Sequence, residues 1–363
     1  MEFRPVASHR RRNTIGEALM TNRIRPQYLE EMLTGIVGPD HAARALDRIA
    51  IPAAVDWSRA DGRISAAMLA MTLNILLFSD LYDRVPTARR WIDARAEAGS
   101  AQWLDHGALR TIRFPGRGTG ALPGGIDAFA RILVPLGYEA AADYPLPRLG
   151  MTGRAFRHRD FPDVVPQFFV SELHVDRFDA AFADAADRVF GSSRDPLSPL
   201  SRALLDLLDQ RGWLTRKQAG ELLPAIVAAF SRTHDIPRLT DYDILHASSA
   251  EAAWIATEGN AFNHATSRVA DVEALARQLQ QQGYPVKDAV EHSTSGRVHQ
   301  TAFRADPVSR RFRDDDGAIV ARVVPGSFYE FITRDIDPAT GRIDLAFDSG
   351  NATGIFAVTR AAA

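Results

Sequence analysis

The sequence predicts an α+β protein, and three observations carry that expectation. Apolar residues recur at helical spacing over residues 15–99 and again over 178–254. Strand-like alternation with β-branched and aromatic residues is confined to two other stretches, 101–177 and 259–363. Those stretches repeat one order: a histidine-bearing strand, a helix closing with Gly-Tyr, then further strands. Such self-similarity points to a duplicated βαβββ module whose copies pair into a half-open barrel, although on the thin identity between them coincidence stays open. The expected organisation is an N-terminal helical region (1–100), a first module (101–177), a helical insertion (178–258) and a second module (259–363).

The elements follow in order. Tyr28, Leu29, Met32, Leu33 and Ile36 make one helical face, and Met68, Met71, Leu73 and Leu77 another. Pro86 suits the first turn of a helix over 87–98 that Gly99 can close. The run 108–114 alternates and reads as a strand. Residues 116–125 are Gly-rich and read as a flexible connection: they lack the Gly-Lys-Ser/Thr ending of a phosphate loop and the glycine interval of a dinucleotide fingerprint. A helix over 126–136 ends in Gly137-Tyr138, with strands at 155–159 and 167–175. The second module starts near Asn263, has a helix over 272–282 ended by Gly283-Tyr284-Pro285, and strands near 299–303, 319–324, 329–334 and 354–359.

Composition excludes several function classes. Hydrophobic residues are 46% of the 363 and charged residues 24%, enough for a large core and unlike a disordered chain. Forty-three basic against 45 acidic side chains give no general attraction to nucleic acid or membrane. The basic run His9-Arg10-Arg11-Arg12 reads as a tail rather than a phosphate-binding arm. Absence of cysteine removes disulfides, iron–sulfur clusters, thiolate zinc sites and cysteine nucleophiles, so any metal must take nitrogen and oxygen ligands. The longest apolar stretch, 66–78, is short for a membrane span and contains Thr72 and Asn74. With no secretory signal pattern, a cytoplasmic location is expected.

Of ten histidines, His106 and His264 stand apart because each opens a module at the equivalent place. If the modules pair about a pseudo-twofold axis, both imidazoles converge inside the barrel. Two histidines and one carboxylate make the facial triad of ferrous oxygenases, which leaves positions for substrate and dioxygen. Glu330 supplies a carboxylate on a strand, opposite in direction to Tyr329 and Phe331. An acid there is costly to bury unless paired or metal-bound, and an exposed glutamate on a sheet face is the competing reading. Arg110 lies four residues after His106, on the same strand face, where a guanidinium suits bidentate carboxylate binding. A surface ion pair is its alternative. His158, on a strand among charges, is either structural or a neighbour of the ligands or substrate. Gln300, Tyr329, Ser349 and Asn351 are carried as further candidates near the ligands or the pocket.

At these residues the sequence resembles the 2-oxoadipate dioxygenase/decarboxylase family, metal-dependent members of the vicinal-oxygen-chelate superfamily and similar in design to hydroxymandelate synthase. The matching segments are Asp105-His106-Gly107-Ala108-Leu109-Arg110-Thr111, Phe169-Val170-Ser171-Glu172-Leu173, Trp254-Ile255, Asn263-His264-Ala265-Thr266 and Tyr329-Glu330-Phe331-Ile332. They occur in the family's order over roughly residues 79–360. The resemblance implies that His106, His264 and Glu330 hold Fe(II), with another divalent ion as a permitted occupant, and that Arg110 holds a substrate carboxylate. It implies oxidative decarboxylation and intramolecular hydroxylation of a small 2-oxo acid, 2-oxoadipate to 2-hydroxyglutarate as in lysine catabolism, with dioxygen consumed and carbon dioxide released. It also implies that the segment 347–356 lines the pocket mouth. Two departures, a long helical extension before residue 79 and Ala265 where a larger residue is commoner, bear on which acid is used. Two rivals stay open: a metal-dependent isomerase or lyase of the same superfamily, and a non-catalytic metal- or ligand-binding protein. Nothing in the sequence speaks to oligomeric state.

Overall fold

The computed structural model describes residues 25–57 and 62–348. The basic run 9–12, the strand expected at 354–359, Ser349 and Asn351 lie outside the described residues.

The N-terminal part consists of α1 (Gln27–Val37), α2 (Pro39–Arg48), a short β1 (Arg63–Ser65), α3 (Ala66–Arg84) and α4 (Pro86–Glu97). The first module follows: β2 (Trp103–Arg113), α5 (Asp127–Leu133), β3 (Tyr138–Leu146), β4 (Met151–His158) and β5 (Gln167–His174). The inserted segment contains α6 (Ala180–Phe190), α7 (Pro199–Arg211), β6 (Trp213–Thr215), α8 (Arg216–Ala229), α9 (Leu239–Ser248) and α10 (Ala250–Glu258). The second module is β7 (Phe262–Arg268), α11 (Val272–Gln281), β8 (Glu291–His292), β9 (Val298–Ala302), a hairpin β10 (Pro307–Arg313) and β11 (Ile319–Pro325), then β12 (Phe328–Arg334).

Eight strands form one sheet in the order β3-β4-β5-β2-β7-β12-β9-β8. Its halves mirror each other. In the first, β2 pairs parallel with the last strand of its module, β5; in the second, β7 pairs parallel with β12. The two opening strands lie antiparallel at the centre, with His106 opposite Thr266 and Ala108 opposite His264. A twofold rotation that exchanges these strands therefore exchanges the two histidines. The βαβββ duplication is real, with the β10–β11 hairpin inserted before the final strand of the second copy.

Besides strands of two or three residues, sequence reading missed β3 and β10, for a physical reason. β3 is an edge strand exposed along most of its length, with three consecutive alanines in place of an apolar alternation. β10 is arginine-rich and forms its ladder with β11, outside the main sheet. The Gly-rich segment is also less free than expected. Thr119 Oγ1 donates to the Ile112 carbonyl at 2.7 Å and the Ala121 N–H to Ser193 O at 2.8 Å. Gly120 has a φ of 61°, and a Cβ there would lie 2.5 Å from Ser193 O.

Helix α3 forms the centre of the helical layer. Ser65 caps it by accepting from the Met68 N–H. Its polar residues are satisfied inside: Thr72 Oγ1 donates to Met68 O, and Asn74 Nδ2 to Ala70 O and the Tyr138 hydroxyl. By length and composition it could cross a membrane, yet 78% of it is buried within the protein, as a core helix is. The layer packs on one sheet face through Phe78 and Trp91 against Tyr329 and Phe331. Strand alternation then turns Glu330 to the other face, the barrel interior.

Gly107 allows the central strands to lie against the core. A Cβ at this position would come within 2.1 Å of the buried Phe262 ring. Gly107→Ala should therefore destabilise the protein by about 1–3 kcal/mol through overpacking. A urea unfolding midpoint equal to that of the parent would show that the Phe262 ring yields.

Candidate metal centre

His106 on β2, His264 on β7 and Glu330 on β12 come together because these are the three central strands and their inward positions fall at one level. Thr266 is opposite both His106 and Glu330 in the ladder. One ligand atom from each of the three lies within 4.8 Å of the others, and all three side chains are buried. Glu330 Oε2 is 3.3 Å from His106 Nε2 and 3.4 Å from His264 Nε2. Thr266 Oγ1 donates to the same Glu330 oxygen at 2.6 Å and stands 3.1 Å from His106 Nε2. The imidazoles meet edge to face with centroids 5.6 Å apart.

Asp105, quoted only as part of a motif at the sequence level, orients this cluster. Its Oδ1 lies 2.8 Å from His106 Nδ1, which fixes Nδ1 as the protonated nitrogen and aims Nε2 inward. Burial opposes charge on Asp105, but Arg334 and then Arg268 hold its carboxyl well below the usual range. For His106, burial is outweighed by hydrogen bonds to Asp105 and Glu330, which raise its pKa. His264 is pushed down to about 3, first by burial, with Glu330 opposing and His106 and Arg110 adding to the fall. Glu330 is lowered: burial resists, but His106 and His264 stabilise its anion. The cluster thus holds a carboxylate, a neutral imidazole and an imidazole that gains from positive charge at its Nε2.

In the cradle a buried polar atom, Glu330 Oε1, has no hydrogen-bond partner. Such an orphaned atom is costly unless something else satisfies it. Nitrogen and oxygen donors converging on one point fit a divalent transition metal. The twofold relation adds a reason for open coordination. Glu330 pairs with Thr266, and the equivalent partner of Ala108 in the first module is Phe169. The fourth symmetric position is therefore filled by a phenyl ring rather than a ligand.

A pocket of about 480 Å³, measured to its open mouth, leads from these residues and is lined by His106, Ala108, Arg110, Phe169, Ser171, Asn263, His264, Gln300, Phe347 and Asp348. Arg110 is 1% exposed. Its guanidinium lies 5.2 Å from the Trp254 ring centroid, and burial pushes its pKa down to about 10 against the opposing charge of Glu251. Even spacing along β2 places His106, Ala108 and Arg110 on the pocket wall, as the sequence implied.

Of the remaining candidates, Gln300 lines the pocket. Tyr329 does not: its ring faces the helical layer and its hydroxyl bonds Ser267 Oγ at 2.6 Å. His158 is also removed from the pocket. It is fully buried against Tyr138 and Phe161, and its Nδ1 accepts from the Asp160 and Phe161 N–H groups at 3.3 Å each. Sequence reasoning missed Thr266, Arg268 and Arg334 as neighbours of the cluster. Thr266 and Arg268 carried an available signal, the same inward alternation that follows His264 on β7.

Paired βαβββ modules around a buried two-histidine, one-carboxylate cradle define a protein of the vicinal-oxygen-chelate type. The chain belongs to the 2-oxoadipate dioxygenase/decarboxylase family, whose match extends over residues 79–342. A 2-oxoadipate dioxygenase/decarboxylase from Mycobacterium bovis is 30% identical over 224 residues, covering 58% of this chain and 53% of the relative. The chain thus aligns with about half the length of that relative. A glyoxalase-superfamily protein from Ralstonia eutropha has a crystal structure with TM-score 0.85 and 49% identity, covering 90% of this chain and 99% of that one. The hydroxyglutarate synthase of Oryza sativa, solved in complex with 2-oxoadipate, shares the fold at TM-score 0.61 and 18% identity, covering 81% and 93%.

Proposed function

We propose that this chain carries out Fe(II)-dependent oxidative decarboxylation and intramolecular hydroxylation of a 2-oxo acid, with 2-oxoadipate the first candidate. One observation carries the reading: a buried arginine lies on the strand of one ligand, His106, and lines the pocket that leads to an open three-ligand cradle. Family membership and the 2-oxoadipate complex of a protein with this fold support the choice of acid.

His106, His264 and Glu330 would hold the ion, each with a lone pair directed into the cradle. Bound there, iron supplies chelation of the oxo acid through its carboxylate and keto oxygen, and activation of dioxygen. The chain's own groups do the rest. Arg110 clamps the distal carboxylate, so the substrate reaches the cradle by its oxo-acid end. Phe169 and Phe347 wall the pocket with apolar surface and keep water from the reacting carbons. Asp105 keeps His106 in one tautomer throughout. The reaction balances without a second oxo acid: 2-oxoadipate and dioxygen give 2-hydroxyglutarate and carbon dioxide. The two dioxygen atoms end in the new carboxylate and the hydroxyl.

Oxygen consumption by the Fe(II)-loaded protein, screened over a panel of 2-oxo acids, tests the proposal. Stoichiometric oxygen uptake and carbon dioxide release with a dicarboxylic 2-oxo acid are expected. Product formed equally well without oxygen would overturn the proposal in favour of an isomerase or lyase. No turnover with any acid would leave a binding protein.

A further inference from the structure

We infer that Arg334 is a positioning residue that joins the orienting carboxylate of His106 to the wall of the pocket. This rests on the proposed reading of the pocket as the substrate site. Arg334 lies on β12 four residues after Glu330, so the two side chains share the inward face. Its side chain is completely buried. The Nε and Nη2 groups grip Asp105, with Nε 2.9 Å from Oδ2 and Nη2 2.9 Å from Oδ1. The remaining nitrogen, Nη1, points the other way and donates to the carbonyls of Asp344 at 2.9 Å and Ala346 at 2.8 Å.

Those carbonyls belong to the extended segment that delivers Phe347. The Phe347 ring meets His106 edge-on at 4.8 Å and Phe169 at 5.1 Å, and it lines the pocket. Around Phe347 the segment is also held by Gln167 Nε2, which donates to Leu345 O at 3.2 Å, and by the Tyr144 hydroxyl, which accepts from the Phe347 N–H at 3.1 Å; at its ends Arg297 Nε donates to Asp344 Oδ2 at 2.9 Å and the Thr294 N–H to Asp348 Oδ2 at 2.7 Å. Among the described residues, Arg334 is the side chain that hydrogen-bonds both the backbone of the segment and Asp105. A planar fork with fixed donor directions can hold a carboxylate on one edge and two carbonyls on the other, which an ammonium cannot do. Asp105 keeps a second partner, Arg268, at 2.8 Å. Loss of the fork should therefore loosen the pocket wall more than it disturbs His106.

Arg334→Lys separates these effects. Amide hydrogen exchange at Ala346 and Phe347 should quicken, because the clamp on their segment is gone. The KM for the oxo acid should rise about tenfold, while kcat and Co(II) affinity stay within about threefold of the parent. Phe347→Ala, alone and combined with Arg334→Lys, supplies the second arm. If Arg334 acts on substrate through Phe347, the double variant's KM should not exceed that of the worse single variant. Additive KM effects, or unchanged exchange at residues 346–347, would overturn the inference. Should Arg334→Lys fail to fold, Gln167→Ala and Tyr144→Phe release the segment from its other side; they should quicken the same amides and raise KM, and unchanged values in both would equally overturn it. Exchange and Co(II) binding are read without turnover, so they stand whether or not 2-oxoadipate proves to be the substrate.

Discussion

His264→Ala should abolish stoichiometric metal binding. After anaerobic loading with Fe(II) and dialysis, the parent is expected to retain one iron per chain and the variant almost none. The argument starts from the protonation state. Burial holds His264 neutral, with a pKa near 3, so its ring offers a lone pair and no competing proton at neutral pH. The ring makes no hydrogen bond through Nδ1 and packs tilted on Phe328 at 4.8 Å. Its removal thus deletes a ligand without dismantling a hydrogen-bond network. Removing a group that merely supports a ligand costs about 10–100-fold in metal affinity, so loss of the ligand itself should exceed about a hundredfold. His106 is a poorer choice for this test, because its truncation would also strip Asp105 of a partner within a buried charge network. A His264→Ala protein that folds, shown by an unchanged circular dichroism spectrum, and still holds one iron would remove His264 from the ligand set.

Legibility of the site in the sequence followed the geometry of the strands. Alternation alone placed His106 and Arg110 on one face, and the repeated order of elements made His106 and His264 equivalent; the ladder His106–Thr266 and Ala108–His264 confirms that equivalence. For Glu330 the flanking Tyr329 and Phe331 left a buried acid and an exposed one both open, and the family resemblance carried the choice; those rings do face the helical layer. The same alternation argues against Tyr329 as a pocket residue, since a neighbour of Glu330 on a strand must point away from it. His158 was left between two readings for a different reason. Its charged neighbours Arg157 and Arg159 suggest a polar face, whereas the side chain itself enters the core between Tyr138 and Phe161. Alternation could place Arg268 and Arg334 on the inward face, but their pairing with Asp105 was not readable, because three separate strands bring them together and no local pattern records such a contact. β3 and β10 escaped because sheet pairing, not apolar periodicity, holds them.

Arg110→Ala should lower kcat/KM for a dicarboxylic 2-oxo acid steeply. Truncating one partner of a buried charge pair costs about 2–5 kcal/mol, or about 30- to 4000-fold. The position justifies the upper part of that range. Arg110 is buried at the pocket wall, and desolvation already costs it enough to bring its pKa to about 10. A bound carboxylate would return what burial removes, so the pair should be stronger here than at a surface. Arg110→Lys should fall between the parent and the alanine variant, since it keeps the charge and loses the fork. The more telling measurement compares two substrates of equal chain length, 2-oxoadipate and 2-oxohexanoate. If Arg110 binds the distal carboxylate, the parent should prefer the diacid strongly and Arg110→Ala should bring the ratio of kcat/KM values close to one. If it binds the carboxylate of the oxo-acid end instead, both substrates should suffer alike and the ratio should persist. Near-normal kcat/KM for both would sink the clamping role altogether and shift attention to Asn263, Ser171 and Gln300, the uncharged polar groups on the same pocket wall.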